Sequence, residues 1–366
     1  MEHPSILGIG TAVPAYLLDQ EDTLARISGA LRDRPDAARW AKRIFARCGV
    51  DTRYTCEPNL LEPAERCRYV SSAGGPPIAT TEERMAAYRK EAARLAAEAA
   101  RKALADGRIR PGDVTHLFAV TCTGFFLPGL DAELAWELDL PADVERFPLT
   151  FQGCAAGMTA LRMSEAVVRG RPDAKALIVA VELCTLHIQP SLDKEELYSA
   201  SFFGDGASAC VVGRASAERP GAFALREARA VPFPGTRDRM RWSVGNHGFR
   251  LHLSSEIPEL IGRFVPPAFE EFWGGRERPE LWAIHPGGKG IVDALQAAFR
   301  LSDEQTADSR SVLRRFGNMS SATILFVLNG LRERLRGGGA GEKAGFAAAF
   351  GPGMTAEFLR FDYRPS

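Results

Sequence analysis

Three short segments of this chain place chemically able side chains beside small residues. They are Phe151-Gln152-Gly153-Cys154-Ala155-Ala156-Gly157, Ile284-His285-Pro286-Gly287-Gly288 and Phe316-Gly317-Asn318-Met319-Ser320-Ser321-Ala322. If they meet, they supply a thiol, an imidazole and a carboxamide. That set can hold an acyl group as a thioester and steady a developing oxyanion. Cys154 precedes a run of helix formers, Ala155 to Val168. The positive end of that helix's macrodipole is expected to lower the thiol pKa. A buried structural cysteine is the plainer alternative. His285 ends a strand-like run, where residues of α/β sheets face ligand crevices, or it is a satisfied loop histidine. Asn318 also suits a helix N-cap. Gly204-Asp205-Gly206 and Gly351-Pro352-Gly353 are turns whose backbone can approach a ligand, or plain turns.

Short apolar runs must position these residues. His116 to Thr121 (HLFAVT), Ala176 to Val181 (ALIVAV), Ala209 to Val212 (ACVV) and Leu281 to Ile284 (LWAI) read as buried strands. Glu83 to Ala105 reads as a long helix, and Leu295 to Leu301 and Ile324 to Leu335 as further helices. This alternation predicts a layered α/β fold. The two halves also echo each other. HLFAVT, the Cys154 segment, a helix and ALIVAV are matched by LWAI, the Asn318 segment, a helix and Gly345 to Phe350 (GFAAAF). A duplicated unit would bring Cys154 and Asn318 together near a pseudo-two-fold axis. The junction is expected within residues 213 to 235, rich in Arg, Pro and Gly, which divides the chain into halves 1–220 and 221–366. Ala64 to Ile78 reads as irregular, and Gly337 to Gly341 as a flexible loop.

The 366 residues, 45% apolar, suffice for a large core, and 46 basic residues balance 46 acidic ones. Neutrality gives no support for nucleic acid or an anionic membrane as the main partner. Seven scattered cysteines without a CxxC pair argue against a disulfide framework or a structural zinc. No nucleotide fingerprint or metal-ligand cluster stands out, so no metal and no redox cofactor are expected. With no leader-like start and no long apolar run, the expected location is the cytoplasm.

Taken together, these motifs resemble the type III polyketide synthases, the chalcone synthase-like branch of the thiolase superfamily. The resemblance is carried by Gly153-Cys154, Phe203-Gly204-Asp205-Gly206-Ala207, Ile284-His285-Pro286-Gly287-Gly288, Gly317-Asn318-Met319-Ser320-Ser321-Ala322 and Phe350-Gly351-Pro352-Gly353. It has a bacterial look and spans nearly the whole chain. It implies a five-layered αβαβα thiolase fold of two pseudo-symmetric halves, and a homodimer. Cys154 would be the nucleophile, with His285 and Asn318 completing the triad. The chain would act on malonyl-CoA and an acyl-CoA starter, with coenzyme A thioesters as substrates rather than cofactors. Iterative condensation and cyclisation would then give a pyrone, resorcinol or other phenolic. Phe203 would be the aromatic gatekeeper, and Gly351, Pro352 and Gly353 the cyclisation loop. Leu251, Cys122, Cys184, His187, Phe125 and Ser320 would line the substrate pocket. Lys42, Arg43, Arg47 and Gly290 would bind coenzyme A. Leu251, Cys122, Cys184 and His187 depart from the plant pattern, which leaves the starter open. Two other readings are a single-condensation ketoacyl synthase III-like enzyme and a catalytically silent thiolase-fold subunit.

Overall fold

The structure is a computed structural model and describes residues 3–70, 72, 74–215, 221–336 and 341–365. Its strands are β1 (His3–Ala12), β2 (Tyr16–Asp19), β3 (Thr52–Thr55), β4 (His116–Thr121), β5 (Glu145–Thr150), β6 (Lys175–Leu183), β7 (Asp205–Ala215), β8 (Phe223–Pro232), β9 (Met240–Gly245), β10 (Gly248–Leu253), β11 (Leu281–Ile284), β12 (Lys343–Gly351) and β13 (Thr355–Tyr363). Its helices are α1 (Gln20–Ala30), α2 (Pro35–Phe45), α3 (Thr81–Gly107), α4 (Leu130–Glu137), α5 (Ala156–Gly170), α6 (Lys194–Phe202), α7 (Ile257–Trp273), α8 (Lys289–Phe299), α9 (Asp303–Phe316) and α10 (Thr323–Arg336).

The predicted strands form because their runs can be buried on both faces. Along β4, Leu117 and Ala119 join one core while Phe118 and Val120 join the next, the two-residue alternation of a strand. The first core packs α3 on the outer face of the N-terminal strands. A second holds α5 and α10 between the two halves. A third packs α7 and α8 on the outer face of the C-terminal strands. The layers therefore run α3, sheet, α5 with α10, sheet, α7 with α8. This is the expected five-layered αβαβα thiolase-like arrangement.

Strand order confirms the internal echo. The sheet runs β11-β12-β13-β8-β1-β7-β6-β4-β5. Outward from its centre, β1-β7-β6-β4 is matched by β8-β13-β12-β11. In each half two antiparallel pairings are followed by a parallel one. The two halves join through a short pairing, Ser5 with Ala224 and Ile6 with Phe223, which makes one continuous sheet.

Close backbone packing depends on glycine at a few points. A Cβ on Gly8 or Gly10 would lie 2.3 or 2.2 Å from the α3 carbonyls of Ala103 and Ala99. Only glycine lets that alanine-rich helix sit directly on β1. The helix begins in a capping box between Thr80 and Glu83, a feature worth about 1 kcal/mol.

The structure refines the expected element boundaries. The segment expected as a junction contains β8, because the FALREARAVP run pairs with β13 along its length. Residues 216–220, where the halves were divided, lie outside the described residues, as do 337–340 of the glycine loop and positions 71 and 73 of the Ala64 to Ile78 segment. The helix expected over Leu295 to Leu301 is α8, which begins earlier at Lys289 and ends at Phe299, with Arg300 in the left-handed conformation. No helix among the described residues is long and apolar enough to cross a membrane.

Candidate active site

A cavity of about 430 Å³ opens where the carboxyl ends of four strands converge. Cys122 follows β4, Cys184 follows β6, His285 follows β11 and Pro352 follows β12; all four line the cavity. Strand ends of an α/β sheet leave a crevice at such a point. The same cavity takes Cys154, Phe203, Leu251, His187, Asn318 and Ser320 into its lining, so the three sequence segments do meet.

Cys154 sits in a 3-10 turn, Gly153–Ala155, that feeds α5. Gly153 has φ +55°, and a Cβ there would come 2.7 Å from the Pro352 ring. The Gly351-Pro352-Gly353 turn is thus pressed against the cysteine loop. Pro352 faces the cavity, whereas the Gly353 N–H donates to the Met240 carbonyl at 3.0 Å. His285 is 1% exposed, and its N–H donates to the Ala348 carbonyl at 2.8 Å. Neither of its ring nitrogens has a hydrogen-bond partner among the described residues. A buried imidazole left unpaired is costly unless it is kept for a ligand. Asn318 Nδ2 donates to the Gly287 carbonyl at 3.2 Å and lies 3.9 Å from Cys154 Sγ. Its Oδ1 accepts from the Ser320 N–H at 2.8 Å, just before the short turn that leads into α10; Met319 occupies the N-cap of that turn, so the expected N-cap role of Asn318 is not realised. These two hydrogen bonds fix the amide, which faces the thiol.

The electrostatics correct the expected thiol. Burial pushes the Cys154 thiol up to about 11, although hydrogen bonds from Ser320 and Asn318 oppose this. Burial also pulls His285 down to about 3. Desolvation outweighs the helix dipole, whose first regular turn begins beyond Cys154. Both groups are therefore held neutral.

His187 is both a wall residue and a satisfied histidine. Nε2 donates to the Thr123 carbonyl at 2.7 Å and Nδ1 accepts from the Phe249 N–H at 3.0 Å, which fixes the neutral tautomer. Its ring stacks on Phe249 at 4.1 Å, and Phe249 stacks on Trp242 at 4.7 Å. Phe249 and Trp242 line the cavity and were not anticipated. Phe249 lies two residues before Leu251 in β10 and so shares its face, which is the signal that marks it.

Glu182 was also missed. It is fully buried and accepts from the Cys122 N–H at 3.0 Å, from Thr123 Oγ1 at 2.7 Å and from Ser321 Oγ, tying both halves of the site together. Burial raises its carboxyl above the usual range. A single acid ending the apolar run ALIVAVEL was the available clue. Ser320 Oγ lies 3.2 Å from Cys122 Sγ at the cavity wall.

Other expected residues fall outside the lining. Phe125 is 50% exposed, with its ring 6.1 Å from Phe249 on the outer side. Lys42, Arg43 and Arg47 are exposed, although Ile44 between them reaches the cavity. Gly290 packs instead against Pro258: a Cβ there would lie 2.9 Å from that ring.

Two family models cover nearly the whole chain. The N-terminal domain of chalcone and stilbene synthases matches residues 2–216, and the C-terminal domain matches residues 225–362. The chain belongs to the type III polyketide synthases. An alpha-pyrone synthesis polyketide synthase-like protein of Mycobacterium tuberculosis is 32% identical over 98% of this chain and 90% of its own length. A type III polyketide synthase of Oryza sativa subsp. japonica is 31% identical over 96% and 92%. Among solved structures, a polyketide synthase of the brown alga Ectocarpus siliculosus superposes with TM-score 0.88 at 28% identity, covering 99% of each chain. As a type III polyketide synthase the chain is an acyltransferase that catalyses decarboxylative condensation, and its thiolase-like fold is the one its solved relatives share.

Proposed function

We propose that this synthase extends an acyl-CoA starter on Cys154 by repeated decarboxylative condensation of malonyl-CoA, then cyclises the chain to a pyrone, resorcinol or other phenolic. The observation that carries the proposal is the meeting of Cys154, an unpaired His285 and a fixed Asn318 amide on one cavity.

Each step follows from those groups. His285 takes the Cys154 proton, and the thiolate attacks the starter thioester. The leaving coenzyme A thiolate recovers that proton, and an acyl-Cys154 thioester remains. Malonyl-CoA then loses carbon dioxide, and its electron pair becomes an enolate. The neutral His285 N–H and the Asn318 amide donate to the enolate oxygen. Two preorganised donors on one oxygen supply the main stabilisation, in a site from which water is largely excluded. The enolate carbon attacks acyl-Cys154, the thiolate leaves, and the chain, now two carbons longer, returns to coenzyme A. Reloading on Cys154 repeats the cycle. These residues supply the nucleophile, the base and the carbonyl donors, so we assign no further cofactor.

The mostly apolar walls suit a growing hydrocarbon or aromatic chain. The relative named for alpha-pyrone synthesis favours a pyrone among the products. A second copy of the chain is the partner we assign to the exposed Phe125 and Leu127, of which Phe125 stacks 6.1 Å from Phe249 of the cavity wall. A reducing, cytoplasmic setting suits seven free cysteines that include a nucleophile.

Incubation with malonyl-CoA, alone and with a panel of acyl-CoA starters, tests the proposal by mass spectrometry. Products whose masses step by ketide units establish iteration and reveal the starter. A single extension from a carrier-protein-bound malonyl group would instead indicate a ketoacyl synthase III-like enzyme, and no turnover of either a silent subunit.

A further inference from the structure

Three of the free cysteines, Cys122, Cys154 and Cys184, line the reaction cavity, whereas Cys48, Cys56, Cys67 and Cys210 do not. The condensation proposed above uses Cys154 alone. Cys122 stands beside it. The Ser320 hydroxyl lies 3.2 Å from Cys122 Sγ and also hydrogen-bonds to Cys154, so one hydroxyl bridges the two thiols. Cys184 has no such bridge to Cys154 among the described residues.

Cys122 also has a base of its own. Its thiol donates to Glu182 Oε1 at 3.3 Å, and its N–H donates to Oε2 at 3.0 Å. Thr123 Oγ1 donates to the same carboxyl at 2.7 Å, and Ser321 Oγ donates as well. These donors favour the ionised form, while burial leaves Glu182 more basic than an ordinary carboxylate. The condensation makes no use of this acid. A thiol held against a basic carboxylate, with a second reactive thiol across one hydroxyl, is equipped to attack an oxidised sulfur.

We propose that Cys122 and Cys154 form an oxidative modification site, in which Cys122 captures a peroxide-formed sulfenic acid on Cys154 as a reversible disulfide. The proposal rests on the reading above only in taking Cys154 as the reactive nucleophile. His285 accepts the Cys154 proton, and the thiolate sulfur attacks one oxygen of hydrogen peroxide. The O–O bond breaks, an S–O bond forms, and the departing hydroxide regains the proton as water. The sulfur is oxidised and the peroxide reduced. Glu182 then takes the Cys122 proton, and the Cys122 sulfur attacks the Cys154 sulfur. The S–S bond forms, the S–O bond breaks, and the hydroxide collects that proton and leaves as water. The disulfide blocks acyl transfer, yet it keeps Cys154 from the irreversible sulfonic acid. A dithiol restores both thiols by exchange. An acyl group already on Cys154 leaves no free thiol there, so the loaded enzyme is protected.

The test exposes reduced enzyme, freed of reductant, to hydrogen peroxide. Remaining thiols are blocked with iodoacetamide and the digest is mapped by mass spectrometry. We expect a peptide pair linked through Cys122 and Cys154, loss of acylation by an acyl-CoA starter, and its return with dithiothreitol. Enzyme loaded with starter beforehand should form no link. In Cys122→Ser the loss should persist after dithiothreitol, with Cys154 found as the sulfinic or sulfonic acid. Cys184→Ser should still form the link. Absence of the link in wild type, a link through other cysteines, its loss in Cys184→Ser, or full recovery of Cys122→Ser with dithiothreitol would overturn the proposal. If the link forms in a protein that no acyl-CoA acylates, the condensation proposed above fails while the thiol pair stands.

Discussion

Gly157 and Ser321 pack backbone to backbone: a Cβ on Gly157 would lie 2.4 Å from the Ser321 carbonyl oxygen. The first residue sits three positions after Cys154 and the second three after Asn318. This contact sets the spacing between the thiol and the amide, and it joins the equivalent helices of the two halves. Gly157→Ala must push those segments apart, because the obstructing atom belongs to main chain. We expect a stability loss of about 1–3 kcal/mol, seen in denaturant unfolding, and a fall in kcat of roughly a hundredfold in the folded fraction. Unaltered kcat would show that this contact does not set the site geometry.

His285 should control the reactivity of Cys154. Without it, a thiol pushed up to about 11 is thiolate on the order of one part in ten thousand at pH 7. With it, transfer of the proton to the imidazole creates the nucleophile inside the site. Alkylation of Cys154 by iodoacetamide, followed by peptide mass spectrometry, should proceed at a nearly constant rate from pH 6 to 9 in the wild type. In His285→Ala the rate at pH 7 should drop by a factor of about a hundred or more and climb steeply toward pH 11. Equal pH profiles for the two proteins would remove His285 from this role.

How far these features were legible depends on which forces set them. Strands such as HLFAVT and LWAI were readable because burial on both faces leaves a run of apolar residues that no other requirement interrupts. The correspondence of Cys154 with Asn318 was readable because close packing between the halves demands small residues at both places. Other elements were hidden by local chemistry. Helix α7 contains Pro266 and Pro267, which break the pattern a helix shows in sequence, although its buried Ile261, Val265, Phe269 and Phe272 hold it in place. Strand β8 is polar along much of its length and owes its existence to pairing with β13. Within the site, the residue types were legible but the sign of the Cys154 shift was not. That sign follows from desolvation, a property of the closed cavity. Glu182 and the stack of His187, Phe249 and Trp242 similarly emerge only when distant segments are brought together.

Asn318 should matter for decarboxylation more than for loading. Its amide is one of two donors available to the enolate oxygen, whereas formation of the thiolate depends on His285. Asn318→Ala is expected to lower release of carbon dioxide from malonyl-CoA by about a hundredfold to a thousandfold while Cys154 still accepts a starter. Equal loss of both steps would place Asn318 in a general structural role.

His187 ties its neutral ring to stability. Burial pulls its pKa to about 4, mainly by desolvation, whereas an unfolded histidine titrates near its ordinary value of 6.5. Between these values the unfolded chain binds a proton that the folded chain refuses. The stabilising contribution of His187 is therefore complete above pH 6.5 and is lost as the pH falls toward 4. A His187→Gln variant should be less stable than the wild type at pH 8, and the gap should narrow by up to about 1.4 kcal/mol per pH unit below 6.5. Urea unfolding of both proteins from pH 8 to pH 5 measures it. A gap independent of pH would mean that His187 titrates alike in the folded and unfolded chains.

The most direct test of the account is intact-protein mass spectrometry after mixing the enzyme with an acyl-CoA starter and no malonyl-CoA. The account predicts one added acyl group, mapped to Cys154, absent in Cys154→Ala and retained in Asn318→Ala. Acylation at another residue, or none with any starter that is turned over, would contradict the assignment of Cys154 as the nucleophile.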